Sequence, residues 1–234
     1  MLSRYVISLG GSLLSPREGL LEYLEKFRDL LLNELEEERQ FFIVTGGGEL
    51  ARKYMDFSRG AGASQYHLDL IGIEATRMNA LLLSSYFGEF SNGEPFRTVE
   101  EAALYGELYP VVVGGGTVPG HSTDAVSALV AERVGAELFV NLTAVDGVYD
   151  RDPRKHEDAR LLEKISTEEL LRLTVSGGFS AGTHMVIDPL AAVILHRSGI
   201  KCAVANGSKL DNLKSILRGE EFAGTLILPS GGCR

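Results

Sequence analysis

The chain alternates short, continuously apolar runs with longer amphipathic segments, and this alternation predicts its secondary structure. Apolar runs at 4–9, 41–45 and 109–113 are too uniform for a half-exposed strand, so they predict strands buried on both faces. Between the first two runs, residues 17–39 carry leucine and phenylalanine at helical spacing among charged side chains. This segment predicts an amphipathic helix that packs on a core.

The same alternation continues to the end of the chain. Further helices are predicted at 49–60, 65–87, 123–135, 166–175, 188–199 and 209–219, and further strands at 136–145, 200–206 and 224–228. Helix starts are indicated by Ser64, by Ser122 or Thr123, by the capping box of Ser166 and Glu169, and by Asp188 before Pro189. Alternating strands and helices predict an α/β fold with a mainly parallel sheet covered on both faces. We expect one domain, with a boundary between two lobes near residue 136.

Composition narrows the possible functions without naming one. The 234 residues carry a net charge of −9 and no cluster of Lys and Arg, which argues against a nucleic-acid binder. No apolar run approaches the roughly 18 residues that a membrane span needs, and no signal-peptide pattern opens the chain. Two cysteines, Cys202 and Cys233, do not make a disulfide framework. We expect a soluble cytoplasmic protein with no nucleic-acid or membrane partner.

Three glycine turns follow three of the predicted strands. They are Gly10–Gly11, Gly46–Gly48 and Gly114–Gly116, and a helix follows the second directly. Glycine lets a backbone approach a ligand closely, and unpaired N–H groups at a helix start favour phosphate. Parallel strands bring their carboxyl ends to one edge of the sheet, so we expect all three turns to lie together. Such an edge would bind a nucleotide and a second phosphorylated molecule.

Two common nucleotide-binding patterns do not account for these turns. The P-loop sequence is absent. Gly46, Gly48 and Ala51 fit a variant of the dinucleotide-binding pattern, and Asp69 follows at the expected distance. However, Asp69 falls within a predicted helix and not at the end of a second strand, where it could reach a ribose. The pattern also belongs to the second βα unit and not to the first, so we do not interpret it as a dinucleotide site.

Six segments that together span almost the whole chain resemble one family. The segments are "LGGS", "GGGELARKY", "DLIGIEATRMNA", "GGTVPGHSTDAVSALVAE", "VDGVYDRDP" and "IDPLAAVILHRSGIK". Their order and intervals are similar to those of archaeal-type uridylate kinases, which belong to the amino-acid kinase superfamily. The resemblance implies a three-layer α/β/α sandwich that assembles as a homohexamer, a trimer of dimers. It also implies transfer of the γ-phosphate of ATP to UMP with Mg²⁺, a step of pyrimidine biosynthesis.

The resemblance also implies which residues form each part of the site. Those matching the ATP site are Ser8, Leu9, Gly10, Gly11, Ser12, Gly48, Arg52, Thr143, Tyr149 and Asp152. Those matching the UMP site are Gly47, Asp69, Thr117, Val118, Pro119, Gly120, His121, Ser122 and Thr123. Gly10, Gly11 and Arg52 are the expected catalytic groups, and no residue is assigned as a metal ligand. The implied lobes are 1–135 for the acceptor and 136–234 for the donor.

Two positions depart from the pattern of the superfamily. Ser8 stands where many members have a lysine that bridges the phosphates, so another cation is needed, with Arg52 the first candidate and Lys53 the second. Ala144 stands where relatives carry Asn or Asp, and Asp146 is not assumed to replace it. For Arg77, an ion pair and a contact with the acceptor both stay open.

Other functions remain open at this level. One alternative is a kinase for another small acceptor, such as an isoprenoid phosphate or carbamate, although the polar residues 117–124 argue against an apolar pocket. The other alternative is a nucleotide-binding or storage protein with weakened catalysis, which Ser8 and Ala144 motivate.

Overall fold

A computed structural model describes residues 2–151, 153, 156–176 and 186–230. Its described part contains one seven-stranded sheet, in the order β3-β2-β1-β4-β6-β7-β5. The strands are β1 (Ser3–Leu9), β2 (Arg39–Thr45), β3 (Val111–Gly114), β4 (Leu138–Thr143), β5 (Lys164–Ser166), β6 (Lys201–Asn206) and β7 (Gly224–Leu228). All neighbouring pairs are parallel except β6 with β7, so the expectation of a mainly parallel sheet is confirmed.

Eight helices in the described residues accompany the sheet. They are α1 (Leu20–Glu34), α2 (Gly48–Gly60), α3 (Gln65–Phe87), α4 (Val99–Tyr105), α5 (Thr123–Val134), α6 (Thr167–Ser176), α7 (Pro189–Ser198) and α8 (Leu210–Arg218). In the part of the chain that the structure describes, none is long and apolar enough to cross a membrane.

The sheet buries both of its faces, which explains the uniformly apolar strands. Ile7 of β1 belongs to one core with Phe27 of α1, while its neighbour Val6 belongs to a second core with Val126 of α5. Successive side chains of a strand point to opposite faces, so each face receives its own set. Helices α1, α3 and α8 cover the first face and α4 to α7 the second. The expected three-layer α/β/α sandwich is confirmed.

The helix boundaries mostly follow the capping signals of the sequence. Asp188 accepts from the backbone N–H groups of Leu190 and Ala191 at 2.8 and 3.2 Å. In the predicted capping box, the Ser166 N–H donates to Glu169 at 2.7 Å and the Glu169 N–H to Ser166 at 3.1 Å. Ser64 is a partial exception, because it precedes α3 while its hydroxyl contacts the ring of His67 at 2.9 Å instead of a backbone N–H.

Three elements differ from the sequence prediction. The first helix is shorter than residues 17–39, because Gly19 adopts a left-handed conformation before its start and Glu38 does so after its end. Helix α4 and strand β5 are additions that the apolar pattern did not indicate. Both are short, with seven and three residues, so their periodicity gives little signal.

Candidate active site

The three glycine turns lie together at one edge of the sheet. Strands β3, β2 and β1 are adjacent and parallel, and Leu9, Thr45 and Gly114 stand at or near their carboxyl ends. The Gly46 N–H donates to the Leu9 carbonyl at 2.9 Å, and the Gly10 N–H donates to Leu142 of β4 at 2.8 Å. The predicted clustering of the turns is therefore confirmed.

The first two turns touch through their backbones. A Cβ atom built on Gly11 would lie 2.1 Å from the nitrogen of Gly48, and one built on Gly46 would lie 2.6 Å from the nitrogen of Gly11. Gly48 also has a φ of 62°, a conformation that a side chain would strain. Ser15 joins the turns from the side, since its hydroxyl donates to Gly11 at 3.2 Å and accepts from the Glu49 N–H at 3.3 Å.

Helix α3 ties the third turn to the second. The Thr76 hydroxyl accepts from the Gly116 N–H at 2.6 Å, and a Cβ on Gly115 would meet that same oxygen at 2.4 Å. Asn79, one turn further along α3, donates to the Gly46 carbonyl at 2.7 Å. Thr45 donates to the Thr76 carbonyl at 2.8 Å. The three turns thus form a single hydrogen-bonded rim, which we call the glycine rim.

The structure brings Asp69 to the predicted acceptor loop, residues 117–123. One Asp69 oxygen accepts from the Gly120 N–H at 2.9 Å, and the other accepts from Gln65 at 2.7 Å. Asp69 lies on α3, which confirms that it does not follow a second strand as a dinucleotide site would require. Gly47 lies beside the same helix, where a Cβ would be 3.5 Å from the Gly72 carbonyl.

The ion-pair interpretation of Arg77 is confirmed, and a contact with the acceptor stays a prediction. Its guanidinium pairs with Glu74 at 2.6 Å and also donates to the Thr117 carbonyl at 3.4 Å.

His121 lies in the acceptor loop, and its buried Nδ1 has no partner within the described residues. Thr117, Val118 and His121 line a cavity of about 510 Å³. Ser122 caps α5 by accepting from the Ala125 N–H at 3.1 Å, and Thr123 is the first residue of that helix.

The two cations proposed to replace the missing lysine lie in different environments. Both are exposed on the first turns of α2, which begins at Gly48. Lys53 pairs with Glu49 at 2.7 Å, whereas Arg52 has no ion pair within the residues that the structure describes. Of these two positive charges, that of Arg52 is therefore the more available to a ligand.

Ser8 forms a buried contact that the sequence did not indicate. Its hydroxyl donates to Asp124 in the first turn of α5 at 2.8 Å. Burial raises the pKa of Asp124 to about 6, and the Ser8 hydrogen bond opposes that rise. The nearby charge of Asp188 adds to the increase. A neutral hydroxyl thus occupies the lysine position and faces a carboxyl group of raised pKa.

Two of the predicted donor residues, Thr143 and Tyr149, lie at the end of β4 and on the loop after it. Thr143 ends β4, and its carbonyl accepts from the Gly207 N–H at 2.9 Å. Tyr149 forms an isolated bridge with Leu161, which holds the two sides of this loop together. Asp152, the third residue expected there, lies outside the described residues. Ala144 is exposed beside Thr143.

Sequence reasoning missed a charged pair beside this loop. Lys209, just before α8, donates to Asp146 at 2.9 Å, and Asn206 at the end of β6 donates to the same oxygen at 3.2 Å. These bonds, the Lys209 one first, hold the pKa of Asp146 below its usual range. The location of Lys209 could have been inferred, because it follows a predicted parallel strand by three residues and so belongs to the edge of the glycine turns, but its pairing with Asp146 had no signal in the sequence.

Comparison with known proteins assigns the chain to a family. A model described as the amino acid kinase family matches residues 3–206. A uridylate kinase from Methanocaldococcus jannaschii is 42% identical over 229 residues, covering 94% of this chain and 100% of the relative. The crystal structure of a uridylate kinase from Archaeoglobus fulgidus superposes with a TM-score of 0.84 at 41% identity, covering 95% of this chain and 99% of the other.

More distant structures share the fold. A UMP kinase from Bacillus anthracis superposes with a TM-score of 0.78 at 22% identity, covering 98% of this chain and 97% of the other. The chain therefore belongs to the amino acid kinase family and, within it, groups with the archaeal uridylate kinases, as the sequence resemblance predicted.

Proposed function

We propose that this protein is a UMP kinase that transfers the γ-phosphate of ATP to UMP and forms UDP for pyrimidine biosynthesis. The observation that carries the proposal is the glycine rim, in which three side-chain-free turns meet next to the loop that Asp69 contacts. The uridylate kinases from Methanocaldococcus jannaschii and Archaeoglobus fulgidus are 42% and 41% identical to this chain over almost their full length. Two phosphorylated substrates would then face each other along one edge.

The acceptor end is proposed to consist of Gly47, Asp69 and residues 117–123. Asp69 would accept hydrogen bonds from the ribose hydroxyls, in keeping with a carboxylate that already receives the Gly120 N–H. Backbone amides and hydroxyls of the loop, including those of Thr117 and Thr123, would read the uracil edge. Residues 1–135 would form the acceptor lobe, which also carries the turns for the triphosphate, and residues 136–234 would form the donor lobe, which holds the adenosine.

The donor end is proposed to run from the first glycine turn to the loop after β4. The triphosphate would lie over Ser8 to Ser12 with Gly48 and Arg52 nearby, and the adenosine along Thr143, Tyr149 and Asp152. Phosphoryl transfer needs positioning and charge neutralisation more than covalent chemistry. The backbone amide of Gly11 and the charge of Arg52 would supply these to the transferred group, while the N–H of Gly10 holds the turn to the Leu142 carbonyl.

Mg²⁺ is proposed to arrive with ATP and to be held mainly by phosphate oxygens and water. Mg²⁺ usually binds through substrate phosphates and one or two carboxylates rather than through a full protein cage. The described residues contain no group of three or more His, Cys, Asp or Glu that could hold a metal. When bound, the ion would neutralise charge on the phosphates.

We also propose a homohexamer, a trimer of dimers, that works in the cytoplasm. The supporting observation is an exposed apolar surface on α2 and α3, where large side chains recur along α3 at helical spacing. Its members are Tyr54, Phe57, Tyr66, Leu70, Met78, Leu81 and Leu82. Large exposed apolar surface marks interaction sites. Light scattering after gel filtration would measure the assembly, and a monomeric mass would contradict it.

The function is tested by incubating the protein with ATP, Mg²⁺ and a panel of acceptors. We expect rapid formation of UDP from UMP and little product from CMP, AMP, carbamate or an isoprenoid phosphate. Preference for CMP or AMP would overturn the proposed substrate. Tight nucleotide binding without turnover on any acceptor would favour the storage protein instead.

A further inference from the structure

Lys209 and Asp146 form a charged pair at the same sheet edge as the glycine rim. Strand β6 lies next to β4, and β4 lies next to β1, all three parallel. Neighbouring strands are about 4.8 Å apart, so the end of β6 lies roughly 10 Å from the end of β1. Lys209 follows β6 by three residues and Asp146 follows β4 by three.

The start of α8 is fixed against the first glycine turn. A Cβ on Gly207 would lie 2.3 Å from a methyl carbon of Leu13, which ends the short 3-10 helix Gly11–Leu13. The Gly207 carbonyl accepts from the Tyr23 hydroxyl at 2.9 Å, and its N–H donates to Thr143. Lys209 is therefore held in place relative to both the predicted phosphate turn and the predicted adenosine loop.

Two of the other cations near the first two turns, Arg17 and Lys53, are engaged elsewhere. Arg17 donates to the Leu13 carbonyl at 2.8 Å and lies over the ring of Tyr23 at 5.6 Å. Lys53 pairs with Glu49. Arg52 is uncommitted, but it lies on α2, on the β2 side of the first turn. The β4 side of that turn has Ser8 and its hydrogen-bonded carboxyl group instead of a positive charge.

The Lys209 ammonium has more N–H donors than the described residues offer acceptors. An ammonium group carries three N–H donors. Asp146 takes one of them, and no second acceptor occurs within the described part of the chain. About half of each side chain in the pair is exposed, so a ligand can reach both. Asp146 is itself oriented by Asn206, and this places the ammonium in one direction rather than leaving it free.

We propose that Lys209, positioned by Asp146, binds the phosphates of ATP from the donor side and supplies the charge that Ser8 lacks. This inference rests on the proposed kinase function. In it, Arg52 approaches the phosphate chain from the β2 side and Lys209 from the β6 side. Asp146 acts as a positioning residue, which leaves two ammonium donors directed at phosphate oxygens.

The test compares Lys209→Met with Lys201→Met by calorimetric titration with ATP and, separately, with adenosine. Lys201 is the matched control, because it is an exposed lysine at the opposite end of the same strand. We expect Lys209→Met to weaken ATP binding about 10- to 100-fold, as loss of a charge-assisted bond predicts, and to leave adenosine binding unchanged. Lys201→Met should change neither, and Lys209→Arg should retain most of the ATP affinity.

Steady-state kinetics separate this inference from the proposed function. We expect Lys209→Met to raise the KM for ATP while the KM for UMP stays constant. Asp146→Asn should give a smaller increase that vanishes in the Lys209→Met background, since a positioning residue acts only through its partner. A purely structural role of Asp146 would produce the same loss in both backgrounds and would contradict the pairing.

If the parent protein phosphorylates UMP while Lys209→Met binds ATP with unchanged affinity, that result leaves the proposed kinase function intact and overturns the role of Lys209. Equal weakening of adenosine and ATP overturns it too, because the lysine would then contact the nucleoside. A parent protein that binds ATP in a Lys209-dependent manner but does not phosphorylate UMP supports the lysine contact and refutes the proposed function.

Discussion

The glycine rim differs from the loops after β4 and β6, which we call the donor loops, in the groups that it presents at the edge of the sheet. The rim presents backbone, whereas the donor loops present charged and polar side chains. On the rim, Gly11, Gly46 and Gly48 approach so closely that no side chain fits between them. On the neighbouring strands, the loops after β4 and β6 carry a carboxylate that accepts hydrogen bonds from a lysine and from an amide. Both regions lie at the carboxyl edge of the sheet of a protein with a net charge of −9.

The difference determines how each region tolerates change. A backbone turn offers N–H groups whose positions are fixed by packing, so any added atom shifts the turn itself. A side chain such as Lys209 can be shortened or replaced without moving the backbone that carries it. We therefore expect substitutions on the rim to damage folding and activity together, and substitutions in the donor loops to affect nucleotide binding alone.

Gly11→Ala should give the largest effect, because its Cβ would lie 2.1 Å from the Gly48 nitrogen. To remove this steric clash, one turn would have to move away from the other, at a cost of about 3 kcal/mol of folding stability. We expect turnover to fall by more than 100-fold, roughly 3 kcal/mol by transition-state arithmetic. Urea unfolding and the kinase assay measure the two effects.

Gly60→Ala is the matched control for that substitution. Gly60 is the last residue of α2, and an added Cβ would meet no atom within 4 Å. We expect normal turnover and a stability equal to or slightly above that of the parent, by about 0.5 kcal/mol, because alanine restricts the unfolded chain. Similar damage in both variants would refute the special role of the rim.

The sequence was sufficient to predict the rim because its signals are local. Each glycine turn directly follows an apolar run, and the parallel order of the strands then brings the turns together. The ends of α5 and α7 were also predictable, since Ser122, Asp188, Gly135 and Gly199 are ordinary capping residues in the expected places.

The contacts that join distant segments could not be predicted from the sequence. Thr76 bonds Gly116 across 40 residues, and Ser8 bonds Asp124 across 116. Lys209 and Asp146 are 63 residues apart. Such pairs depend on side-chain packing between elements and not on the period of either element, so a reading along the chain has no signal for them.

Arg52→Ala tests whether the rim also needs a charged side chain. We expect turnover to fall about 100-fold, because the variant removes charge at the phosphates, while the free energy of unfolding changes by less than about 0.5 kcal/mol. Arg52 is exposed and without an ion pair in the described residues, so its removal leaves no buried partner. Lys53→Ala, which breaks only the surface pair with Glu49, is the control. Unchanged turnover in Arg52→Ala would show that backbone amides and other cations suffice.

Asp69→Asn addresses the acceptor end of the rim. The carboxylate accepts the Gly120 N–H and the Gln65 amide at the same time, and an asparagine can satisfy only one of them with its single oxygen. We expect the KM for UMP to rise about 10-fold while the KM for ATP is unchanged. Asp56→Asn, an exposed carboxylate on α2 paired with Arg59, serves as the control. An equal increase in both KM values would contradict an acceptor-side role.

Asp124→Asn concerns the junction of the two regions, and its effect appears only as the pH rises. The folded-state pKa of Asp124 is raised to about 6, above its usual value of 3.8, mainly by burial. The folded protein therefore binds the proton more tightly than the unfolded chain. The stability that this provides is fully present below about pH 4 and is lost as the pH rises through 6.

The variant removes this dependence while it keeps an oxygen that can accept from Ser8. We expect Asp124→Asn to match the parent below about pH 4 and to be more stable by about 1–3 kcal/mol above pH 7, since each pKa unit corresponds to 1.36 kcal/mol. Urea unfolding across this range measures the difference. Ser8→Ala should move the midpoint of the parent's pH dependence upward, because the Ser8 bond lowers the pKa of Asp124. A stability difference that is constant with pH would mean that Asp124 is ionised throughout, and that the rim and the donor loops meet at a permanent negative charge.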